Sequence, residues 1–221
     1  MPLVVRLLIV LVAAPILLSQ VRKPWRAIGR PFLWIMNRSH SAVTDWGLRQ
    51  LAIAADARVL DVGCGGGRTI AKLASEPRRK VSGVDYSPES VAVSQQTNAA
   101  AIADGRVDVQ QASVSKLPFA DATFDVVTAV ETHYYWPDVV ADLREVRRVL
   151  KPGGSVALIA ESYAAGRFGF IQGLAMKPLG VIHLTAEGHR QALTDAGFSS
   201  VDVFEERAKG WICASGRSER L

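Results

Sequence analysis

Val59-Leu60-Asp61-Val62-Gly63-Cys64-Gly65-Gly66-Gly67-Arg68-Thr69 is a short apolar run that breaks into glycines and then into a helix-forming segment. It reads as strand, tight loop and helix. Glycine at positions 63, 65 and 67 lets the backbone turn sharply and leaves no Cβ between its amides and a ligand, while the following helix turns its positive end toward the same spot. A small polar ligand is expected there. Counted from Gly63, the dinucleotide fingerprint G-x-G-x-x-G would put its third glycine at position 68, where the chain has Arg68. The spacing is instead G-x-G-x-G.

Outward from this loop, Val81-Ser82-Gly83-Val84-Asp85 is a second strand that ends in an acid 24 residues after Asp61. Leu117-Pro118-Phe119 is followed by the apolar run Phe124-Asp125-Val126-Val127-Thr128-Ala129-Val130-Glu131, and Leu150-Lys151-Pro152-Gly153-Gly154 reads as the turn into a further strand. In this order and at this spacing, over roughly residues 55 to 161, the series resembles the class I S-adenosylmethionine (SAM)-dependent methyltransferases. The resemblance implies an α/β fold: a doubly wound, Rossmann-like, mostly parallel sheet of seven strands in the order 3-2-1-4-5-7-6. It implies SAM as cofactor. Asp61, Gly63, Gly65 and Gly67 are then expected around the methionine end, Asp85 on the ribose, Tyr86 on an adenine face, and Ser113 with Val114 on the adenine edge. Val130 and Glu131, closing the fourth strand, complete the expected cofactor side.

At 221 residues with a hydrophobic fraction of 49%, the chain suits one catalytic domain with a short appendage. The net charge of +5 is unevenly placed: Arg6, Arg22, Lys23, Arg26, Arg30 and Arg38 give the first 40 residues +6, with no acids, and leave −1 for the rest. A basic arm beside an apolar segment points to a membrane surface, and no groove-reading motif suggests nucleic acid. Cys64 and Cys213 have neither metal nor disulfide-framework spacing, so two reduced thiols and no metal are expected.

Leu3 to Leu18 is apolar except for Arg6; as a helix these 16 residues rise about 24 Å against a hydrocarbon core of about 30 Å. Pro15 would kink it. An anchor or interfacial helix over residues 1–22 is the expectation, with a cleaved signal or an incidental N-terminus as alternatives, and surface association through residues 1–38. Residues 23–50 are expected as a basic linker with pre-domain helices, and 51–221 as the methyltransferase domain. The basic cluster places that domain on the cytoplasmic side of a membrane, or in the cytoplasm, where SAM is made. Asn37, His40 and Trp46 either pack or close over the cofactor.

From Asp56 onward the text alternates strand and helix. Strands are predicted at 57–62, 80–85, 106–112, 124–130, 154–161, 201–204 and 210–214. Ser87-Pro88-Glu89 starts a helix that Gly105 ends. Val139, Leu143, Val146 and Leu150 define the apolar face of another helix, with Asp142, Arg144, Glu145, Arg147 and Arg148 facing solvent. Thr185 to Ala196 is a third helix, closed by Gly197. The loosely patterned stretch between Ser162 and Leu184 is expected to cap a substrate pocket.

A sulfonium methyl is already activated, so transfer is a direct displacement that mainly requires alignment. A base near the acceptor and groups that steady the cation would assist, and Glu131-Thr132-His133-Tyr134-Tyr135-Trp136 supplies both kinds. His133, Tyr134 and Tyr135 are therefore the catalytic candidates, with His133 the sharpest, against a pocket-wall packing role. The expected acceptor is a small molecule, with a lipid-like one suggested by the apolar, basic N-terminus. Two rival readings are a nicotinamide-dependent oxidoreductase, which the residue at position 68 argues against, and a SAM-binding protein without turnover.

Overall fold

A computed structural model describes residues 33, 40–161, 163 and 182–219. The expected apolar anchor, the basic arm, Asn37 and most of the expected pocket cap lie outside the described residues. Within them, helix α1 spans Ser41–Leu48 and is followed by β1 Arg58–Val62, α2 Arg68–Leu73, β2 Lys80–Asp85, α3 Pro88–Thr97, α4 Ala99–Ala103 and β3 Val107–Gln111. Then come β4 Phe124–Val130, a 3-10 turn His133–Tyr135, α5 Val139–Val149, β5 Leu150–Ala160, α6 Ala186–Asp195, β6 Ser199–Glu206 and β7 Trp211–Arg217. Among the described residues no helix is long and apolar enough to cross a membrane.

The seven strands form one sheet in the order β3-β2-β1-β4-β5-β7-β6. Strands β1 to β5 run parallel, and β7 is antiparallel to both of its neighbours. Alternate side chains of each strand feed opposite faces: Leu60, Val127 and Leu158 pack with Leu143 and Val146 of α5, whereas Val59, Val81 and Val126 pack with Ile70 and Leu73 of α2. Truncating Leu143, fully buried in the first layer, to alanine would cost about 2–5 kcal/mol. Helix α1 belongs to this packed unit, because Gly47 lies against Ile159 of β5 and Trp46 stacks on Trp211 of β7 with ring centroids 6.0 Å apart.

Three local expectations need correction. Strand β5 begins at Leu150 rather than 154: Phe124 pairs with Leu150, the register shifts, and Val126 pairs with Ser155, so the Pro-Gly-Gly stretch is a bulge within the strand. The helix that starts at Ser87 breaks at Asn98, whose Nδ2 donates to the carbonyls of Ser94 and Gly67 at 2.9 and 3.0 Å. The break thereby ties the α3–α4 junction to the glycine loop. The charges of α5 are not simply solvated. Asp142 is 2% exposed; Glu145 accepts from the Leu117 amide at 2.8 Å, and Arg148 donates to the carbonyls of Leu117 and Phe119. The helix holds the loop before β4 through polar contacts whose partners lie far away in sequence.

Candidate active site

The carboxyl ends of parallel strands open onto one crevice at the point where strand order reverses, here between β1 and β4. The glycine loop after β1 folds onto the end of β2: the amides of Gly63 and Cys64 both donate to the Val84 carbonyl, at 2.8 and 3.0 Å. Gly63 has φ +71°, and a Cβ there would collide with the Thr132 side chain. Gly65, at φ +51°, has no atom within 4 Å of the position a Cβ would take. One residue is glycine for a neighbour's sake, the other borders open space.

That space is a cavity of about 410 Å³. Its wall includes Gly63, Gly65, Asp85, Tyr86, Ser113, Val114, Val130 and Glu131 from the expected cofactor set, with Tyr135 from the expected catalytic set. Asp85 stands between two loops, with Oδ2 accepting from the Gly65 amide at 3.0 Å and Oδ1 from the Ser87 amide at 2.8 Å. Burial pushes its pKa above the usual carboxylate value, while those N–H bonds and a further hydrogen bond from the Ser90 side chain pull it back. Part of the carboxylate's acceptor capacity is left for a further donor.

Asp61 and Gly67 are not on the wall. Asp61 is 2% exposed and accepts a 2.7 Å hydrogen bond from the Thr128 hydroxyl beneath the loop. Burial drives its pKa up to about 7, against the Thr128 bond and with help from the Asp85 charge. Gly67, at φ +80°, lies against Ser94 and Asn98. Both shape the loop from below.

The turn after β4 separates the three catalytic candidates. Tyr135 lines the cavity. Tyr134 lies behind it, 7% exposed, and its hydroxyl donates to Glu131 Oε2 at 2.7 Å. Burial and the Glu131 charge push that phenol well above its ordinary pKa. His133 faces away from the cavity: it is 1% exposed, with Nε2 2.9 Å from His189 Nε2 of α6. Burial, then the neighbouring His189 and His183, holds its pKa well below the ordinary imidazole value. The structure thus brings together Tyr135 and Glu131 but leaves the sharpest sequence candidate outside.

Glu131 has φ +56°, a left-handed conformation rarely adopted by a non-glycine residue. Its Oε1 accepts a short hydrogen bond from the Glu161 amide. Burial raises its pKa to about 7, with His40 lowering and Glu161 raising it. Wall residues to which the sequence reading gave no site role include Arg68, Thr132 and Trp136. Arg68 Nη2 donates to Ser41 Oγ at 2.5 Å, joining α2 to α1; the motif marked it only as a missing glycine.

The cavity passes a chemical test for SAM: an open floor above Gly65, a buried carboxylate with spare acceptor capacity at Asp85, and apolar and aromatic walls. Comparisons with known proteins agree. The family model described as "Methyltransferase domain" matches residues 60–158. The chain is 31% identical over 193 residues to 27-O-demethylrifamycin SV methyltransferase of Amycolatopsis mediterranei, covering 84% of this chain and 71% of that protein. It is 35% identical over 131 residues to the ubiquinone/menaquinone biosynthesis C-methyltransferase of Geotalea daltonii, 56% of each chain. The solved [4+2]-cyclase SpnF, 20% identical, superposes with a TM-score of 0.68 over 83% of this chain and 82% of its own, a likeness of fold.

The chain belongs to the class I SAM-dependent methyltransferases. Its cofactor is SAM, and the nicotinamide reading falls with that membership.

Proposed function

We propose that this methyltransferase acts on a small or lipid-like acceptor that presents only its reacting end to the site. The observation that carries this reading is the composition of the cavity described above. Besides the cofactor wall it is lined by Leu33, Tyr135, Trp136 and Pro137. Ligand sites commonly span about 300–1,000 Å³, and 410 Å³ lies at the small end of that range. An apolar wall beside that limited space favours an apolar acceptor with a single polar reacting group.

Within this reading Asp85 holds the ribose, Gly63 and Gly65 the methionine end with Asp61 beneath them, and Tyr86, Ser113 and Val114 the adenine. Val130 and Glu131 border the reacting end and Tyr135 contacts the acceptor. His133 and Tyr134 support the turn that carries it. The basic residues of 1–38 would bring the domain to the cytoplasmic face of an anionic membrane where such acceptors dissolve. The names of two relatives point the same way, one modifying a rifamycin and the other acting in ubiquinone and menaquinone biosynthesis.

Incubation with methyl-labelled SAM and an organic-soluble cell extract, followed by mass spectrometry of the labelled product, tests the acceptor class. A labelled apolar product supports it; label confined to water-soluble metabolites or to protein overturns it.

A further inference from the structure

Three titratable side chains from separate elements meet beside the cavity: His40 just before α1, Glu131 after β4 and Glu161 after β5. One ligating atom from each lies within 4.8 Å of the others. His40 Nε2 is 3.3 Å from Glu161 Oε1. His40 and Glu131 both line the cavity. Exposure rises along the series, from 9% for Glu131 to 23% and 39% for the side chains of His40 and Glu161. Buried, half-buried and solvent-touching groups follow one another outward.

We propose that Glu131, His40 and Glu161 form a proton relay in which Glu131 takes the proton leaving the acceptor and His40 and Glu161 carry it to solvent. The inference rests on the methyltransferase reading and applies to an acceptor with an ionisable O–H, N–H or C–H. The acceptor's electron pair forms the bond to the methyl carbon, the carbon–sulfur bond breaks with its pair passing to sulfur, and the acceptor's proton goes to the Glu131 carboxylate. Charge balances, since the sulfonium becomes a neutral thioether while one carboxylate is neutralised.

The geometry around Glu131 suits that task. A left-handed non-glycine residue costs energy that the surroundings must sustain, and such residues gather at functional sites. Tyr134 and the Glu161 amide each engage one carboxylate oxygen, which fixes the group and leaves one lone pair per oxygen. Burial brings Glu131 to about 7, near the optimum for a base working at neutral pH. Burial also pulls His40 down, but the Glu161 hydrogen bond and the Glu131 and Glu161 charges outweigh it and leave its pKa above the ordinary value. Tyr134 also bonds to Glu131, so the cluster titrates as a set rather than as separate residues.

Histidine-selective ¹⁵N NMR on the full chain follows the His40 titration without any acceptor. A midpoint above about 6.5 that falls in both E131Q and E161Q supports the relay, and an unchanged midpoint overturns it. Transfer of labelled methyl to the organic extract gives a second readout. E131Q and H40Q should lose at least about tenfold, with E131D partly restoring transfer and S-adenosylhomocysteine affinity staying within about threefold. Wild-type transfer in either variant overturns the relay. So does an equal loss of S-adenosylhomocysteine affinity, which would make Glu131 a cofactor anchor, or a Mg²⁺ or Zn²⁺ requirement abolished in E131Q, which would make the cluster a metal site. If the wild-type protein labels nothing, the acceptor reading fails for that extract while the His40 titration still decides the relay.

Discussion

The Gly65 amide donates a 3.0 Å hydrogen bond to Oδ2 of Asp85, so the residue expected to hold the ribose also fastens the glycine loop. On that expectation, ligand and loop share one carboxylate. Asp85→Ala should therefore weaken S-adenosylhomocysteine binding by about 2–4 kcal/mol, the scale of lost charge-assisted hydrogen bonds. It should also lower the melting temperature of the protein without ligand. Calorimetric titration and thermal melts measure the two effects separately; a loss of affinity with no loss of ligand-free stability would show that the loop does not depend on this bond.

The two glycines of the loop should respond differently to the same change. Gly63→Ala places a Cβ against Thr132 and should destabilise the protein with or without ligand. Gly65→Ala meets no protein atom within 4 Å, so its stability cost should be limited to the positive φ, about 1–2 kcal/mol. Its new methyl enters the cavity, however, and S-adenosylhomocysteine affinity should fall at least about tenfold, the equivalent of about 1.4 kcal/mol. Denaturant unfolding beside calorimetry distinguishes these outcomes.

His133 and His189 both have pKa values held below the ordinary imidazole range, mainly by burial. A depressed folded-state value means that the unfolded chain binds protons more readily. The pair's contribution to stability is then present above the unfolded imidazole value and is lost as pH falls through the folded one. His133→Gln should flatten the decline in stability below about pH 6.5 while changing methyl transfer by no more than a few-fold. Urea unfolding across pH, with transfer assays alongside, checks both. A large loss of transfer with intact cofactor binding would return His133 to the chemistry.

Asp61 has the opposite sign. Burial raises its folded-state value to about 7 from an ordinary 3.8, so its favourable state is the protonated one. The stability it contributes is complete below about pH 4 and is lost as pH rises to about 7. Relative to the wild type, Asp61→Asn should gain stability between those limits and level off above them. Thermal melts over that range measure the difference, and a constant offset would mean that Asp61 does not titrate there.

What was legible in the sequence follows from how local each cause is. The strand ends at Asp85 and Glu131 are marked by apolar runs that stop at an acid, the end of β1 by the glycines after Val62, and the sheet order followed from the resemblance those marks supported. Ser87 caps its helix as predicted because a cap needs only the next three residues, whereas Thr185, read as the first helical residue, is itself a cap. The direction of His133 was not legible, since it depends on His189, 56 residues away. The burial of Asp142 depends likewise on the loop packed across α5. His40 was noticed but not placed, because only β4 and β5 together bring the two glutamates within its reach.

Strand β7 lies between β5 and β6 and runs antiparallel to both. During synthesis on the ribosome, the first five strands emerge in an order that lets neighbours pair, yet β6 has no place to dock until residues 211–217 appear. The sheet must stay open along the β5 edge until then, with Leu158 and Ile159 of that strand, fully buried in the finished protein, left without their β7 partners. Non-local pairing of this kind is slow and aggregation-prone. A nascent chain arrested before Trp211 should therefore recruit holding chaperones, whereas one extended past Arg217 should close the sheet and release them.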